Sequence, residues 1–172
     1  MSLFHTTIPQ LLKMFTNLDG WLNKAEAFCA EHDIPNEVLL EQRLYPNMYT
    51  LRGQIQFACN NATLLADRLG GVARPEAVDD EQTLADVRGK VAKTRAFLES
   101  ITADHVAGVE DRMVDIPAIK GMEIRAEDLA TDFSIPNVYF HLTTAYGIMR
   151  HMGIDVGKAD FLGPMALVPV SA

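Results

Sequence analysis

The stretch Asn137–His151, NVYFHLTTAYGIMRH, gathers two histidines and two tyrosines on one helical segment. Two metal ligands from one helix share a face when they are three or four residues apart. His141 is followed at those spacings by Thr144 and Ala145, neither a usual zinc ligand. At about 100° per residue, His141 falls on the side of Val138, Ala145, Ile148 and Met152, so its ring points inward. His151 lies about 80° round the helix and ~15 Å along it, too far to share an ion with His141. The other histidines, His5, His32 and His105, fall outside this helix, and no H-x-x-x-H, H-E-x-x-H or Cys/His cluster occurs. The expectation is a core imidazole satisfied by hydrogen bonds, with no cofactor; if a divalent metal binds, His141 is its one plausible ligand.

Four helical periodicities position these groups. In the first, Ile8, Leu11, Phe15, Leu18, Leu22, Ala25 and Cys29 recur at steps of three and four, with Thr6 or Thr7 as cap and an end near His32. Pro35–Leu40 predicts one helical turn. The second long helix is expected to open at Pro46 and run to Leu69, with Gly70 and Gly71 stopping it. The third starts at Thr83, where Thr83 and Asp86 resemble a capping box, and continues to Ile101. Two short strands, Met113–Ile116 and Met122–Arg125, form a hairpin through Pro117 and Gly121. The segment AEDLATDF adds a helical turn or two. The fourth long helix is expected from Pro136 to about Met152, and an irregular tail packs around Phe161 and Leu162. Trp21, Met14 and Phe28 lie off the first helix's stripe, consistent with a subunit contact.

The chain has 172 residues, which suits a single domain over 1–172, with 48% hydrophobic and 22% charged residues. A formal net charge of −8 opposes nucleic acid and anionic membranes as partners. No stretch is apolar and long enough to cross a bilayer, and no signal-peptide pattern opens the chain. With two cysteines, Cys29 and Cys59, and no C-x-x-C, a reduced, cytoplasmic protein is expected. Neither cysteine has a neighbouring base, so a nucleophilic role is weakly supported.

Three stretches, TTIPQLLKMFTNLDGWLNKAEAF, YPNMYTLRGQIQFACNNA and IPNVYFHLTTAYGIMRHMGIDVGKADFLG, together resemble an uncharacterised bacterial domain-of-unknown-function family within the DinB/YfiT-like superfamily. The resemblance covers nearly the whole chain. It implies an all-α four-helix bundle with an up-down-down-up course, often a homodimer, here carrying a small β-hairpin insert between helices 3 and 4. Superfamily relatives hold a divalent metal through one histidine on the second helix and an H-x-x-x-H pair on the fourth, and several are thiol-dependent transferases or isomerases. This sequence departs from that pattern. His141 stands for the first of the pair, Ala145 stands where the second belongs, and the second helix has no histidine.

The implied course brings the end of the second helix to the depth of His141. Asn60 or Asn61 then approaches its ring, with Gln54 and Gln56 deeper. Arg52 flanks the same stripe and could fix an anion or pair with an acid on the first helix. Asp19 and Glu26, ~10 Å apart on that helix, are too distant for a shared proton and face Arg52 or another base. Tyr139 and Tyr146 share one face of the fourth helix. The candidate ligand site is therefore His141, Asn60, Asn61, Gln56, Arg52 and Tyr146. Three functions compete: a bundle that binds a small polar molecule without an intact metal triad, a metal-dependent thiol transferase or isomerase with a reorganised site, and a purely structural partner protein.

Overall fold

The computed structural model describes residues 2–117 and 119–170. Helix α1 spans Leu3–Glu31, and its apolar stripe from Ile8 to Cys29 is buried throughout. It starts earlier than a cap at Thr6 or Thr7 would allow. Ser2 is the N-cap, and the Thr7 hydroxyl donates back to the Leu3 carbonyl at 2.7 Å. Pro9 therefore lies within the helix. His32 terminates it, with Nδ1 2.9 Å from the Phe28 carbonyl oxygen.

A short α2, Asn36–Leu40, leads to an irregular stretch that contains Pro46. Pro46 does not open the next helix. Helix α3, Leu51–Gly70, begins after Thr50, whose Oγ1 accepts from the Gly53 N–H at 3.2 Å. A hydroxyl cap satisfies a backbone donor at the first turn, which Pro46 cannot do. Gly71 ends α3 in the left-handed region, at φ 64°. Helix α4, Leu84–Ser100, opens on the anticipated Thr83–Asp86 capping box.

After a single 3-10 turn at Asp104–Val106, strands β1 (Met113–Asp115) and β2 (Glu123–Arg125) pair antiparallel with Val114 opposite Ile124. The hairpin is tied to the helices by Arg112. Its guanidinium donates to the Arg68 and Leu69 carbonyls at the C-terminal end of α3, where helical carbonyls lack intrahelical partners.

The last long helix starts ten residues before Pro136. A short α5, Ala126–Asp128, runs into a π-helical turn, Leu129–Ser134, and then into α6, Ile135–His151. A proline inside an α-helix removes a donor and crowds the carbonyl four residues back. The wider π turn lets the backbone pass Pro136 without breaking.

Paired residues give the helix directions. Asn137 bonds Asn61 and His141 bonds Gln54, so α3 and α6 are antiparallel. Gln10 meets Tyr139 and Trp21 meets Tyr146, so α1 and α6 run the same way. Cys59 lies beside Thr94 and Gly70 beside Ile101, so α3 and α4 also run together.

The tail is more ordered than the expected irregular chain. Helix α7, Lys158–Leu162, seats Phe161 on Trp21 with ring centroids 5.4 Å apart, and Trp21 Nε1 donates to the Asp160 carbonyl at 3.1 Å. Trp21 is thereby buried at 1% exposure, and Met14 is also buried, at 2%, so neither is available for a subunit contact. Phe28 is half-buried and stacks on His32. Gly163, at φ 64°, closes the clasp: a Cβ there would fall 2.3 Å from Asn17 Oδ1. Among the described residues, no helix is long and apolar enough to cross a membrane.

Candidate functional site

The α3–α6 seam carries the imidazole singled out above. His141 is 7% exposed, and its ring stacks on Phe57 at 5.4 Å and meets Phe140 edge-on at 5.2 Å. Its Nδ1 lies 2.7 Å from Gln54 Oε1. The amide orientation is set from the other side, because Gln54 Nε2 donates to the Tyr49 carbonyl at 3.2 Å. Facing an acceptor oxygen, Nδ1 carries the proton, which leaves the lone pair on Nε2. Nε2 has no hydrogen-bond partner among the described residues. Burial disfavours the charged ring and lowers its pKa from 6.5 to about 4. At neutral pH this is an uncharged imidazole.

An Nδ1–H held by a second group is also how metal-binding histidines are oriented. The rest of a cage is lacking: Ala145 lies one turn on, α3 supplies amides rather than imidazoles, and no three His, Cys, Asp or Glu side chains converge among the described residues. The residues present do not fit the superfamily's three-histidine divalent metal.

The other nominated residues separate onto different faces. Asn61 joins the seam: its Oδ1 accepts from Asn137 Nδ2 at 3.2 Å. Asn60 turns away and donates to Asp79 at 3.0 Å. Gln56 is buried and donates to Glu81 at 2.7 Å. Arg52 pairs with Glu41, the C-cap of α2, rather than with an acid of α1. Tyr146 packs edge-on against Trp21 and Phe161. Asp19 and Glu26 do face a base, and it is Arg88 of α4, at 3.0 and 3.1 Å. Cys59 is sealed in the core, where burial pushes its thiol up to about 12; burial also raises Cys29. Neither thiol ionises appreciably near neutrality.

Two of the nominated residues do line a common cleft. Arg52 and Gln56 border an open space of about 550 Å³ at the start of α3, walled by Tyr49 and Phe57. Tyr49 packs on Phe57 at 4.4 Å, and Phe57 stacks in turn on His141. The aromatic wall connects this cleft to the imidazole. Phe57 had no sequence signal, because it lies off the α3 stripe and carries no chemistry-bearing group.

The sequence did not reveal the polar network that pins the α3–α4 connection. Lys90 Nζ donates to Asp79 at 2.6 Å, to the Val78 carbonyl at 3.0 Å and to Glu81 at 3.2 Å. Burial alone would lower the Lys90 pKa, but its bonds to Asp79 and Glu81 outweigh that and raise it. These acids come from a connection with no periodicity, so spacing could not pair them with α4.

The largely helical architecture with one small hairpin is that of a DinB-like protein. A family profile described as "Domain of unknown function (DUF1993)" matches residues 3–162, and the chain belongs to that family. It is similar to a DinB family member protein from Shewanella denitrificans, known from a 1.83 Å crystal structure: 37% identity, TM-score 0.91, covering 97% of this chain and 95% of that one. No curated protein matches the sequence.

Proposed function

We propose that this chain is a bacterial, cytoplasmic, homodimeric bundle of up-down-down-up course that binds a small polar molecule without a metal triad. The pairwise helix directions support the course, and the exposed Tyr45 and Phe140 support a pairing face. The observation that carries the binding reading is the cleft at the start of α3. There a guanidinium (Arg52), an amide (Gln56) and two aromatic faces (Tyr49, Phe57) converge on one space of ligand size. The paired Glu41 moderates the charge of Arg52, which suits a polar ligand with a flat or apolar portion better than a multiply charged anion.

Thermal-shift screening of the full chain against small polar metabolites, including low-molecular-weight thiols, tests this reading. A stabilising ligand is expected whose effect disappears in Arg52→Gln and weakens in the exposed-ring variant Tyr49→Ala. A ligand whose effect survives both substitutions contradicts it.

The alternative, a metal-dependent thiol transferase or isomerase with a reorganised site, draws on a single observation: the Gln54-held imidazole with its open Nε2. It requires ligands from outside the α3–α6 seam.

A further inference from the structure

Resting on the binding reading above, we propose that the cleft at the start of α3 selects an aromatic monocarboxylate, a flat ring that carries one carboxylate group.

The lining sets the charge of the ligand. Its ionised side chains are Arg43, Arg52 and Asp79. Arg52 is paired with Glu41. Asp79 is paired with Lys90 at 2.6 Å, and both of its oxygens also accept from Asn60 at 3.0 Å. Arg43 has no acidic partner among the described residues. One positive charge is left uncompensated, on a chain whose formal net charge is −8, and a ligand with one negative charge balances it. The bonding of Arg43 narrows the group further. Its Nη1 donates to the Pro46 and Met48 carbonyls, each at 3.5 Å. Its Nε and Nη2 make no bond among the described residues. Those two N–H groups are parallel donors on one edge of the guanidinium, which a carboxylate accepts with both oxygens.

The flat ring follows from a separate observation. Tyr49 is 56% exposed, yet it is held from three sides. Its ring packs on Phe57 at 4.4 Å, its carbonyl accepts from Gln54 at 3.2 Å, and Gly53 lies against its Cβ. A Cβ on Gly53 would fall 3.1 Å from Tyr49 Cβ, tighter than ordinary packing, so alanine there would displace the tyrosine. Glycine inside a helix lowers its stability relative to alanine, and here it secures a ring that faces solvent. Tyr49, Gly53 and Phe57 line the same space as Arg43. A fixed aromatic surface beside an unpaired guanidinium complements a flat ring that bears a carboxylate.

Calorimetric titration of the full chain with 4-hydroxybenzoate tests the proposal, with 4-hydroxybenzamide, cyclohexanecarboxylate and tyramine as controls. Saturable binding of 4-hydroxybenzoate is expected, roughly tenfold tighter than any control. Arg43→Gln should weaken it roughly tenfold, to the level of 4-hydroxybenzamide. Arg43 is exposed and its bonds are long, so this variant keeps the fold. Gly53→Ala, which displaces the Tyr49 ring, should weaken the acid and the amide alike. The proposal is overturned if 4-hydroxybenzoate shows no binding by about 10 mM, if the amide or cyclohexanecarboxylate binds as tightly, or if Arg43→Gln binds as the parent chain does. Binding of the amide without preference for the acid overturns this inference alone and leaves the binding reading standing. Failure of all four compounds together with a thermal-shift screen that finds no ligand overturns both.

Discussion

Gln54 and His141, 87 residues apart in the chain, meet at 2.7 Å across the α3–α6 seam, and the Tyr49 carbonyl fixes which atom of the amide faces the ring. The carbonyl orients the amide, the amide sets the tautomer, and burial keeps the ring neutral. The one inward imidazole of this chain is thus a hydrogen-bonded element of the seam with one open nitrogen.

His141 should titrate near pH 4, well below an ordinary histidine at 6.5. The unfolded chain takes up this proton near 6.5 while the folded chain resists it. The contribution to stability is therefore complete above pH 6.5 and is lost as the pH falls towards about 4. Its full size is on the order of 3 kcal/mol. Imidazole resonances followed by NMR against pH, with urea unfolding at pH 7 and pH 5, check both statements. A ring that protonates at 6 or above contradicts them.

Gln54→Ala removes the acceptor at Nδ1 and frees a buried donor. A loss of about 1–2 kcal/mol in denaturant stability is expected. The tautomer population, read from 15N shifts of the ring, should also become mixed. An unchanged single tautomer would mean that something other than Gln54 orients the ring.

Gly163→Ala forces a side chain into a left-handed position and against Asn17. The expected cost is about 1–3 kcal/mol. Trp21 is the only tryptophan, so release of α7 should shift the intrinsic fluorescence to the red. Retention of the blue-shifted emission would show that the clasp does not depend on this turn.

Lys90→Met leaves Asp79 and the buried Glu81 without their shared cation. Because Asp79 is partly exposed, the expected destabilisation is discounted to about 1–3 kcal/mol. Limited proteolysis should then cut within 72–82 sooner than in the parent chain. Equal cleavage rates would mean that Lys90 does not hold this connection.

Much of the scaffold was legible in the sequence because its signals are local. The α1 stripe, the Thr83–Asp86 box, the Gly71 stop and the two strands each follow from neighbours within a few residues. The misses arose where a distant contact overrides a local preference. Pro46 is a good first residue for a helix, yet Thr50 caps α3. Pro136 is another, yet a π turn carries the helix through it. Trp21 looked like surface until α7 folded over it. At the candidate site, the inward direction of His141 followed from periodicity, but its partner did not, since helix register good to a few residues cannot choose Gln54 over Asn60 or Asn61. The charges around Lys90 were invisible for the same reason.

The metal content of the full chain, purified without an affinity tag and measured by elemental analysis beside His141→Ala, tests the central claim most directly. With one inward imidazole, no second histidine a turn later and no metal-holding group of His, Cys, Asp or Glu among the described residues, both proteins should carry far less than one equivalent of zinc, nickel or manganese per chain. One full equivalent in the parent chain, lost in His141→Ala, would contradict the account and restore the metal-dependent reading.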